Sequence, residues 1–306
     1  MKNYLVRRLL SLIPVALGVA TLTFALIHLV PGDPVVAMLG ENAAPADVAG
    51  LRHQLGLDRP LWDQYGVFLD GLAHGDLGLS ISTHEPVARL IAERFPATIE
   101  LALAGLLVAI LIAFPLGLAA GANPGRPVDS AAMGFAILGV SVPHIYLGPL
   151  LMIVFSLDLQ WLPLTGRGGF AHLVLPALTL GTALAAILAR MLRQGLVAAA
   201  GADYMRTAAS KGLSHRAAIV RHGLRNALTP VLTLLGLQFG ALLTGTIVIE
   251  MIFSWPGLGR LMIGAIGARD YPLVEGCVLA FALTYVAVNL LTDLAYGMID
   301  PRIRVG

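Results

Sequence analysis

Six long stretches of this chain consist almost entirely of apolar residues, and shorter polar or proline-rich segments separate them. The stretches cover about residues 9–30, 97–121, 131–156, 173–193, 230–250 and 276–298. Each is close to or longer than the ~20 residues that an α-helix needs to cross the hydrocarbon core of a bilayer. The pattern therefore predicts an all-α, polytopic membrane protein with six transmembrane helices.

The composition supports a membrane protein. Hydrophobic residues make up 57% of the 306 residues, charged residues only 12%, and the mean hydropathy is +0.82. A soluble domain contains about one quarter charged residues. The first stretch follows Lys2, Arg7 and Arg8 as a signal-peptide core would, but it is longer than the ~7–15 residues of such a core. We expect residues 1–30 to form a cytoplasmic N-terminus and a retained first transmembrane helix.

The segment 31–96 differs from the rest of the chain because it is polar, rich in proline and glycine, and contains most of the carboxylates. Two helices are predicted within it, at 45–55 and 60–72, where proline stands in the first turn and apolar residues recur at helical spacing. We interpret the segment as an extracytoplasmic loop with local structure.

The charged residues predict which side of the membrane each loop occupies. Six crossings place both termini on one side, and 13 of the 20 lysines and arginines then fall on that side with only three of the 18 carboxylates. Basic residues are enriched in cytoplasmic loops. We therefore predict cytoplasmic termini, with a tail at 299–306, and a cytoplasmic loop at 194–229 between the fourth and fifth spans.

Several residues within the spans are unusual for a lipid environment. Prolines at 14, 115, 143 and 149 predict kinks, and Pro143 lies beside Ser141 and His144, where a kink serves packing or lines a wet cavity. Polar groups in a span must face protein or water because lipid exposure costs roughly 2.5–3.5 kcal/mol. The candidates for lining a path or clamping helices are Ser141, His144, Gln238, Glu250, Asn289 and Asp293.

Asn289 and Asp293 lie one helical turn apart and share a face. Asp293 is close to the cytoplasmic end of its span, and this position favours a helix clamp over a transport path. The single cysteine, Cys277, lies in an apolar run and is interpreted as a small hydrophobic residue.

Motifs of catalysis are missing from the sequence. The glycine-rich run GANPGR at 121–126 lacks the lysine and hydroxyl of a phosphate-binding loop. The eight histidines are scattered without a zinc-binding spacing, and no GxSxG motif occurs. We expect no catalytic residue, no metal site and no nucleotide hydrolysis by this chain alone.

The segment 202–230 is basic and interrupted by turns, and it lies between two apolar stretches. A helix is predicted at 203–211, with Gly212 ending it and Ser214 capping a second short helix. Ala217, Val220, Leu224 and Leu228 fall on one face of that second helix. Its arginines, on the sides of the helix, are Arg216, Arg221 and Arg225.

This segment is too long for a simple connection, which indicates docking to a cytoplasmic protein. Basic helices of this kind also bind nucleic acid or anionic lipid. Nucleic acid is disfavoured because two helices tethered at both ends to spans have no third helix to complete a DNA-reading core.

The residues RTAASKG at 206–212 and LSHRAAIVRHGLRNALTP at 213–230 resemble the "EAA" loop of ABC importer permeases. Aligned on Gly212, Ala208 and Leu224 also match the general pattern, whereas Arg206 stands where that pattern has glutamate. The departures follow the dipeptide/oligopeptide branch of the family. Further segments similar to that branch are PGDP at 31–34, HGDLGLS at 74–80, VIEMIFSWPGLGRL at 248–261, RDYPLVEG at 269–276 and NLLTDLAYGMIDPRIR at 289–304.

The resemblance implies a type I ABC importer fold and one of two membrane subunits of a dipeptide or oligopeptide importer in a bacterial plasma (inner) membrane. The implied partners are a sister permease, two ATP-binding subunits that hold ATP and magnesium, an extracytoplasmic solute-binding protein, the peptide and the lipid bilayer. This chain itself is expected to bind no cofactor and no nucleic acid.

The resemblance also implies a coupling helix that sits in a cleft of the ATPase. Its implied contact residues are Asp203, Tyr204, Arg206, Thr207, Ala208, Ala209, Lys211, Gly212, Leu213 and Ser214. Permeases of this type also import nickel, glutathione or antimicrobial peptides, and these substrates stay open. A stand-alone channel or an intramembrane enzyme is the alternative from another class, and it leaves the long basic segment without a purpose.

Overall fold

A computed structural model describes residues 13–25, 34–40, 43–54 and 56–299 of the chain. These residues are almost entirely helical, and no strand occurs among them beyond an isolated bridge between Leu79 and Pro86. The helices of this part of the chain are α1 Ile13–Ala25, α2 Pro34–Leu39, α3 Pro45–Gln54, α4 Leu61–Ala73, α5 Val87–Gly121, α6 Pro127–Ser141, α7 His144–Met152, α8 Phe170–Ala200, α9 Asp203–Ser210, α10 His215–Ala218, α11 Leu224–Ile252, α12 Leu258–Gly267 and α13 Tyr271–Ile299. The all-α prediction is confirmed, and α3 and α4 match the helices predicted at 45–55 and 60–72.

Four helices of the described residues are long and apolar enough to cross a membrane: α5, α8, residues 234–252 of α11, and residues 271–292 of α13. A fifth crossing is formed if α6 counts as one span with α7 and the π-helical residues Ile153–Asp158 that continue it, although this pair is bent by 98° at residues 142–143. The first predicted span, 9–30, lies only partly within the described residues, as the shorter helix α1. The structure thus describes four or five of the six predicted spans.

The long helices extend beyond the apolar stretches that predicted them. Helix α5 begins at Val87 instead of 97, and α8 ends at Ala200 instead of 193. Hydropathy marks the part of a helix that lies in lipid, whereas backbone hydrogen bonding continues into polar residues such as the Arg89–Glu93 pair of α5. As a result, only residues 201–214 separate α8 from the next long helical run, fewer than the predicted loop 194–229.

The chain divides into two compact units. The first combines the described part of residues 1–97 with Pro256–Ala287. Its buried core consists of Val87, Leu90, Leu258, Ala265, Leu273 and Cys277. Cys277 is thus a buried apolar neighbour in this core, as its sequence context predicts.

The second unit combines Thr98–Trp255 with the described part of residues 288–306. Helix α8 is the most buried of its candidate spans, and Leu188, Leu192 and Leu196 have no exposed surface. Glycines of α5 allow α8 to approach closely, since a Cβ atom at Gly121 would lie 2.7 Å from the Cβ atom of Leu196. Helix α8 therefore forms the centre against which the other helices of this unit pack.

Candidate functional site

Helix α9 ends in the turn that the sequence predicts. Gly212 has a φ of +85°, a left-handed conformation that residues with a Cβ atom rarely adopt. The N–H of Leu213 donates to the carbonyl of Ala208 at 3.2 Å, which is the hydrogen bond that closes a helix around such a residue. The prediction that Gly212 ends the first helix is confirmed.

The second helix starts at the predicted cap but does not remain short. The N–H of Ala217 donates to Ser214 Oγ at 3.4 Å, and the N–H of Ala218 donates to the Ser214 carbonyl at 2.9 Å. From His215 the chain continues through α10, a π-helical turn at Ile219–Gly223 and α11 to Ile252 without a break. The prediction of a separate second short helix is therefore wrong, because no residue between 215 and 230 interrupts the helical backbone.

The side chains of α9 divide into an inner and an outer set. Met205 and Ala208, three residues apart, are buried against this chain. Ala208, predicted to contact a partner, thus packs inward, and Met205 was missed although its apolar spacing with Ala208 was visible in the sequence. Among the predicted contact residues, the following are exposed together with Gly212, and we call them the α9 surface: Asp203, Tyr204, Arg206, Thr207, Lys211 and Ser214. Leu213 is half-buried, and the side chain of Ala209 is outside the described part.

The α9 surface is charged and solvated. Arg206 Nη1 lies 3.7 Å from Asp203 Oδ1, and their side chains are 83% and 97% exposed. An exposed pair of this kind contributes at most about 1 kcal/mol, so both groups remain available to a partner. With Lys211, the surface can form charge-assisted hydrogen bonds to a complementary cleft.

The buried face of the run that follows α9 is not the predicted one. Ala218, Ile219, Gly223 and Ala227 are buried, whereas Ala217 and Val220 are exposed. The buried residues face α8, where Ala199 is a close neighbour of Gly223. The π-helical turn adds a residue per turn and shifts the packed face away from the regular helical spacing used for the prediction. Arg221 and Arg225 are exposed, as expected, and the side chain of Arg216 is outside the described part.

The break at Pro143 brings two of the path candidates together. Ser141 ends α6 with its hydroxyl donating to the Ile137 carbonyl at 2.8 Å, and His144 begins α7. The Nδ1 atom of His144 is buried and has no hydrogen-bond partner among the described residues. Unwound backbone at this position confirms the predicted kink, whereas α5 continues through Pro115 and α7 through Pro149.

Glu250 acts as a clamp between helices. Glu250 has no exposed surface, and Thr98 Oγ1 donates to Glu250 Oε1 at 2.6 Å. This contact joins α5 to α11. Of the other candidates, Gln238 and Asn289 are half-buried on α11 and α13, and the side chain of Asp293 is outside the described part. Among the candidates in the described part, Ser141 and His144 flank the same break, whereas Gln238 and Glu250 lie on α11 and Asn289 lies on α13.

Two buried aspartates were missed as functional residues by the sequence analysis. Asp129 forms an ion pair with Arg193, with Nε–Oδ1 at 2.5 Å and Nη2–Oδ2 at 2.6 Å. Asp270, in the first unit, accepts hydrogen bonds from Ser80 Oγ at 2.5 Å, Ser82 Oγ at 2.7 Å and the N–H groups of Ile81 and Ser82 at 3.0 Å.

The hydrogen bonds to Asp270 set its charge state. Burial disfavours the ionised carboxyl, but the donors of Ser80, Ser82 and Ile81 outweigh burial and hold the pKa of Asp270 below its usual value. The carboxylate is therefore ionised at neutral pH and fixes the turn at 80–83. It also caps α13, since the N–H of Leu273 donates to Asp270 Oδ1 at 3.3 Å.

Two protein-family models together match most of the chain. Residues 113–305 match the family of binding-protein-dependent transport system inner membrane components, and residues 1–102 match the N-terminal part of such components. The chain is 44% identical over 304 residues to the glutathione transport system permease protein GsiC of Salmonella choleraesuis (strain SC-B67), with 99% of each chain covered. The GsiC protein of Escherichia coli (strain K12) is 43% identical over the same length and share of each chain.

Two solved structures resemble about 70% of the chain. An inward-facing structure of the MetNI methionine ABC transporter matches with a TM-score of 0.56 at 16% identity, covering 69% of this chain and 96% of that chain. An amino acid ABC transporter matches with a TM-score of 0.50 at 18% identity, covering 70% and 94%. At these identities the likeness concerns the fold alone, which is that of type I ABC importer permeases.

Proposed function

This chain belongs to the family of binding-protein-dependent transport system inner membrane components, and on that premise we propose that α9 is the contact through which an ATPase subunit drives it. The chain is the non-catalytic, multi-pass permease subunit of an ABC importer, and separate subunits hydrolyse ATP and deliver the substrate. The observation that supports the role of α9 is its exposed, charged surface, which is closed by the left-handed Gly212.

The attachment of α9 at both of its ends connects a movement of α9 to the transmembrane helices. Helix α9 lies between the end of α8 and the run that begins at His215. These two long elements pack closely, since a Cβ atom at Gly195 of α8 would lie 3.0 Å from the Cβ atom of Ala227. Closure of the ATPases would move α9 with both helices as one body, which is the rigid-body type of transition that produces alternating access.

The proposed assembly places α9 and both termini in the cytoplasm. The excess of lysine and arginine in the segments on that side supports this orientation. A single chain supplies half of the path, so the assembly contains a sister permease and two ATPase subunits. ATP and magnesium are bound by the ATPase subunits, and this chain binds no cofactor.

The proposed substrate is a short peptide, with glutathione as the first candidate. The support for glutathione is the printed function of the relatives that share 44% and 43% identity along nearly the whole chain. Dipeptides and longer peptides are the next candidates, followed by nickel. Uptake of labelled glutathione by cells that express the complete transporter, with unlabelled dipeptide or nickel as competitor, separates these substrates. Absence of labelled glutathione uptake in cells whose complete transporter takes up a labelled dipeptide would refute glutathione as the substrate.

The proposed docking region for the solute-binding protein comprises the segments 31–96 and 251–269. In the first segment, α4 leaves Trp62 84% exposed, whereas Tyr65 and Phe68 of the same helix pack on Phe24 of α1. An exposed tryptophan on an otherwise anchored helix is typical of an interaction surface.

The test of the ATPase contact is the substitution Gly212→Val in the complete, reconstituted transporter. A β-branched residue in the left-handed region costs about 1–3 kcal/mol, so we expect the α9 turn to change shape and uptake to fall about tenfold. Gly212→Asn is the matched control, because asparagine tolerates this conformation, and it should keep most of the uptake. Normal uptake by Gly212→Val at normal membrane abundance would refute the proposed contact.

A further inference from the structure

An ion pair joins α6 to α8 near the end of α8 that leads to α9. Arg193 Nε donates to Asp129 Oδ1 at 2.5 Å, and Arg193 Nη2 donates to Asp129 Oδ2 at 2.6 Å. The Asp129 side chain is 5% exposed and that of Arg193 is 29% exposed. A bidentate pair fixes orientation as well as distance, which a single hydrogen bond does not.

Asp129 holds a second element at the same place. The N–H of Gly125 donates to Asp129 Oδ2 at 2.9 Å, so the carboxylate also fixes the turn between α5 and α6. Gly125 has a φ of +73°, which this turn requires and which glycine adopts without strain. One carboxylate therefore ties together the α5–α6 turn, the first turn of α6 and the last third of α8.

The same stretch of α8 contacts the run after α9. Gly195 faces Ala227, and Leu196 faces both Gly121 of α5 and Gly223 of the π-helical turn. Within two helical turns, α8 thus contacts α5, the π-helical turn and the start of α11. The Arg193–Asp129 pair is the contact in this stretch that includes α6.

Stability alone is a weak reason for such a pair. Removing two charges from water is costly, and apolar residues of similar volume often stabilise a protein as well or better. What the pair adds is geometry: it fixes the beginning of α6 to the helix that leads into α9. Helix α6 ends at the break before His144, beside the path candidates Ser141 and His144.

We propose that Asp129 and Arg193 are positioning residues that transmit the movement of α9 through α8 to α6 and so to the break at Pro143. This inference rests on the proposed role of α9. Breaking the pair should leave ATPase docking intact, because the α9 surface is unchanged, while α6 no longer follows α8.

The experiment measures glutathione or peptide uptake and ATP hydrolysis of the complete transporter in proteoliposomes. For Asp129→Asn and for Arg193→Leu we expect ATP hydrolysis close to that of the wild type and uptake per ATP about fivefold lower, within the range of coupling energies between sites. Arg193→Lys keeps the charge without the bidentate fork and should be intermediate. The swap D129R/R193D should recover part of the loss.

The matched control is a second ion pair, in which Arg167 Nη2 lies 2.5 Å from Glu100 Oε2. This pair joins α5 to the segment that precedes the N-terminus of α8. Glu100→Gln and Arg167→Lys should keep normal uptake per ATP. Unchanged uptake per ATP in correctly folded Arg193→Lys and Arg193→Leu would overturn the inference, as would a parallel fall of uptake and ATP hydrolysis. The substitution Gly212→Val acts on α9 itself and therefore separates the two proposals. If the pair variants keep normal uptake per ATP while Gly212→Val is defective, only this inference is refuted. If Gly212→Val keeps normal uptake, the proposed ATPase contact is refuted.

Discussion

Two turns of this chain are held in place by different means. The turn after α9 depends on the backbone, through the positive φ of Gly212 and the hydrogen bond from Leu213 to Ala208. The turn at 80–83 depends on side chains, because Asp270 uses the hydroxyls of Ser80 and Ser82 and two backbone N–H groups.

This difference in how the two turns are held corresponds to a difference in role. The turn after α9 borders a surface proposed to meet a partner, whereas the turn at 80–83 is anchored within its own unit. A turn defined by its backbone leaves the neighbouring side chains free, and the α9 surface is accordingly exposed and charged. A turn anchored by a buried carboxylate uses its polar side chains internally, and Ser80 is only 1% exposed. Side-chain substitutions should therefore affect stability at Asp270 and transport at α9.

The largest loss of stability is expected for Asp270→Ala. This change leaves several buried donors of the 80–83 turn without an acceptor and removes the cap of α13, at a cost of about 3 kcal/mol or more. Thermal unfolding of the detergent-purified transporter measures the loss. Asp270→Asn keeps an acceptor and should lose less. Equal melting temperatures for the alanine variant and the wild type would show that Asp270 does not anchor the turn.

A paired test at α9 compares Met205→Ala with Tyr204→Ala. Met205 is buried, so its truncation should cost about 2 kcal/mol in stability, as large-to-small changes in cores do. Tyr204 is exposed, so its replacement by alanine should lower stability by less than about 0.5 kcal/mol. Uptake should nevertheless fall, because the contact with the ATPase is weakened. Thermal unfolding and uptake are measured on both variants. The comparison fails if Tyr204→Ala destabilises the chain as much as Met205→Ala.

Acid should weaken the Asp270 anchor in a defined direction. The pKa of Asp270 is lower in the folded chain than in the unfolded chain, where it is about 3.9. The stability that the ionised carboxylate contributes is therefore complete at a pH above the unfolded pKa and is lost as the pH falls through the folded pKa. We expect the melting temperature of the wild type to fall below pH 4 more steeply than that of Asp270→Asn. Parallel curves for the two proteins would contradict this.

The smallest effect on stability is expected for Arg206→Glu. The Arg206–Asp203 pair is exposed and long, so its loss should change stability by less than about 0.5 kcal/mol. Uptake should nevertheless fall, because the charge of the α9 surface is reversed at the proposed ATPase contact. Membrane abundance and uptake are measured together, and normal uptake would remove Arg206 from that contact.

The features that follow local chemistry could be predicted from the sequence. Apolar length located the four long spans of the described residues, the left-handed preference of glycine located the end of α9, and the short side chain of Ser214 located the next cap. The predicted break at Pro143 also follows from the ring of proline, which removes a backbone donor.

The features that depend on tertiary contacts could not be predicted. Asp129 and Arg193 are 64 residues apart in sequence, and Ser80 and Asp270 are 190 apart, so nothing in the spacing links them. Helix ends were misplaced where a helix continues beyond its apolar stretch: α5 begins at Val87 and includes the charged residues Arg89, Glu93 and Arg94, and α8 continues through Gln194 and Gly195 to Ala200. The inward position of Ala208 depends on where α9 packs, and the sequence pattern alone allows either side.

The π-helical turn at Ile219–Gly223 has a consequence for the run from His215 to Ile252. At 1.5 Å per residue this run is roughly 55 Å long, and it connects the α9 end with the clamp residue Glu250. The turn takes up one surplus residue within about one rotation of the helix, so deleting a residue there would convert it to regular helix and leave the two ends in nearly the same rotational phase. Deleting a residue from a regular α-helical part of the run would instead rotate one end by about 100° relative to the other, so this turn is the place where the run best accepts a change in length.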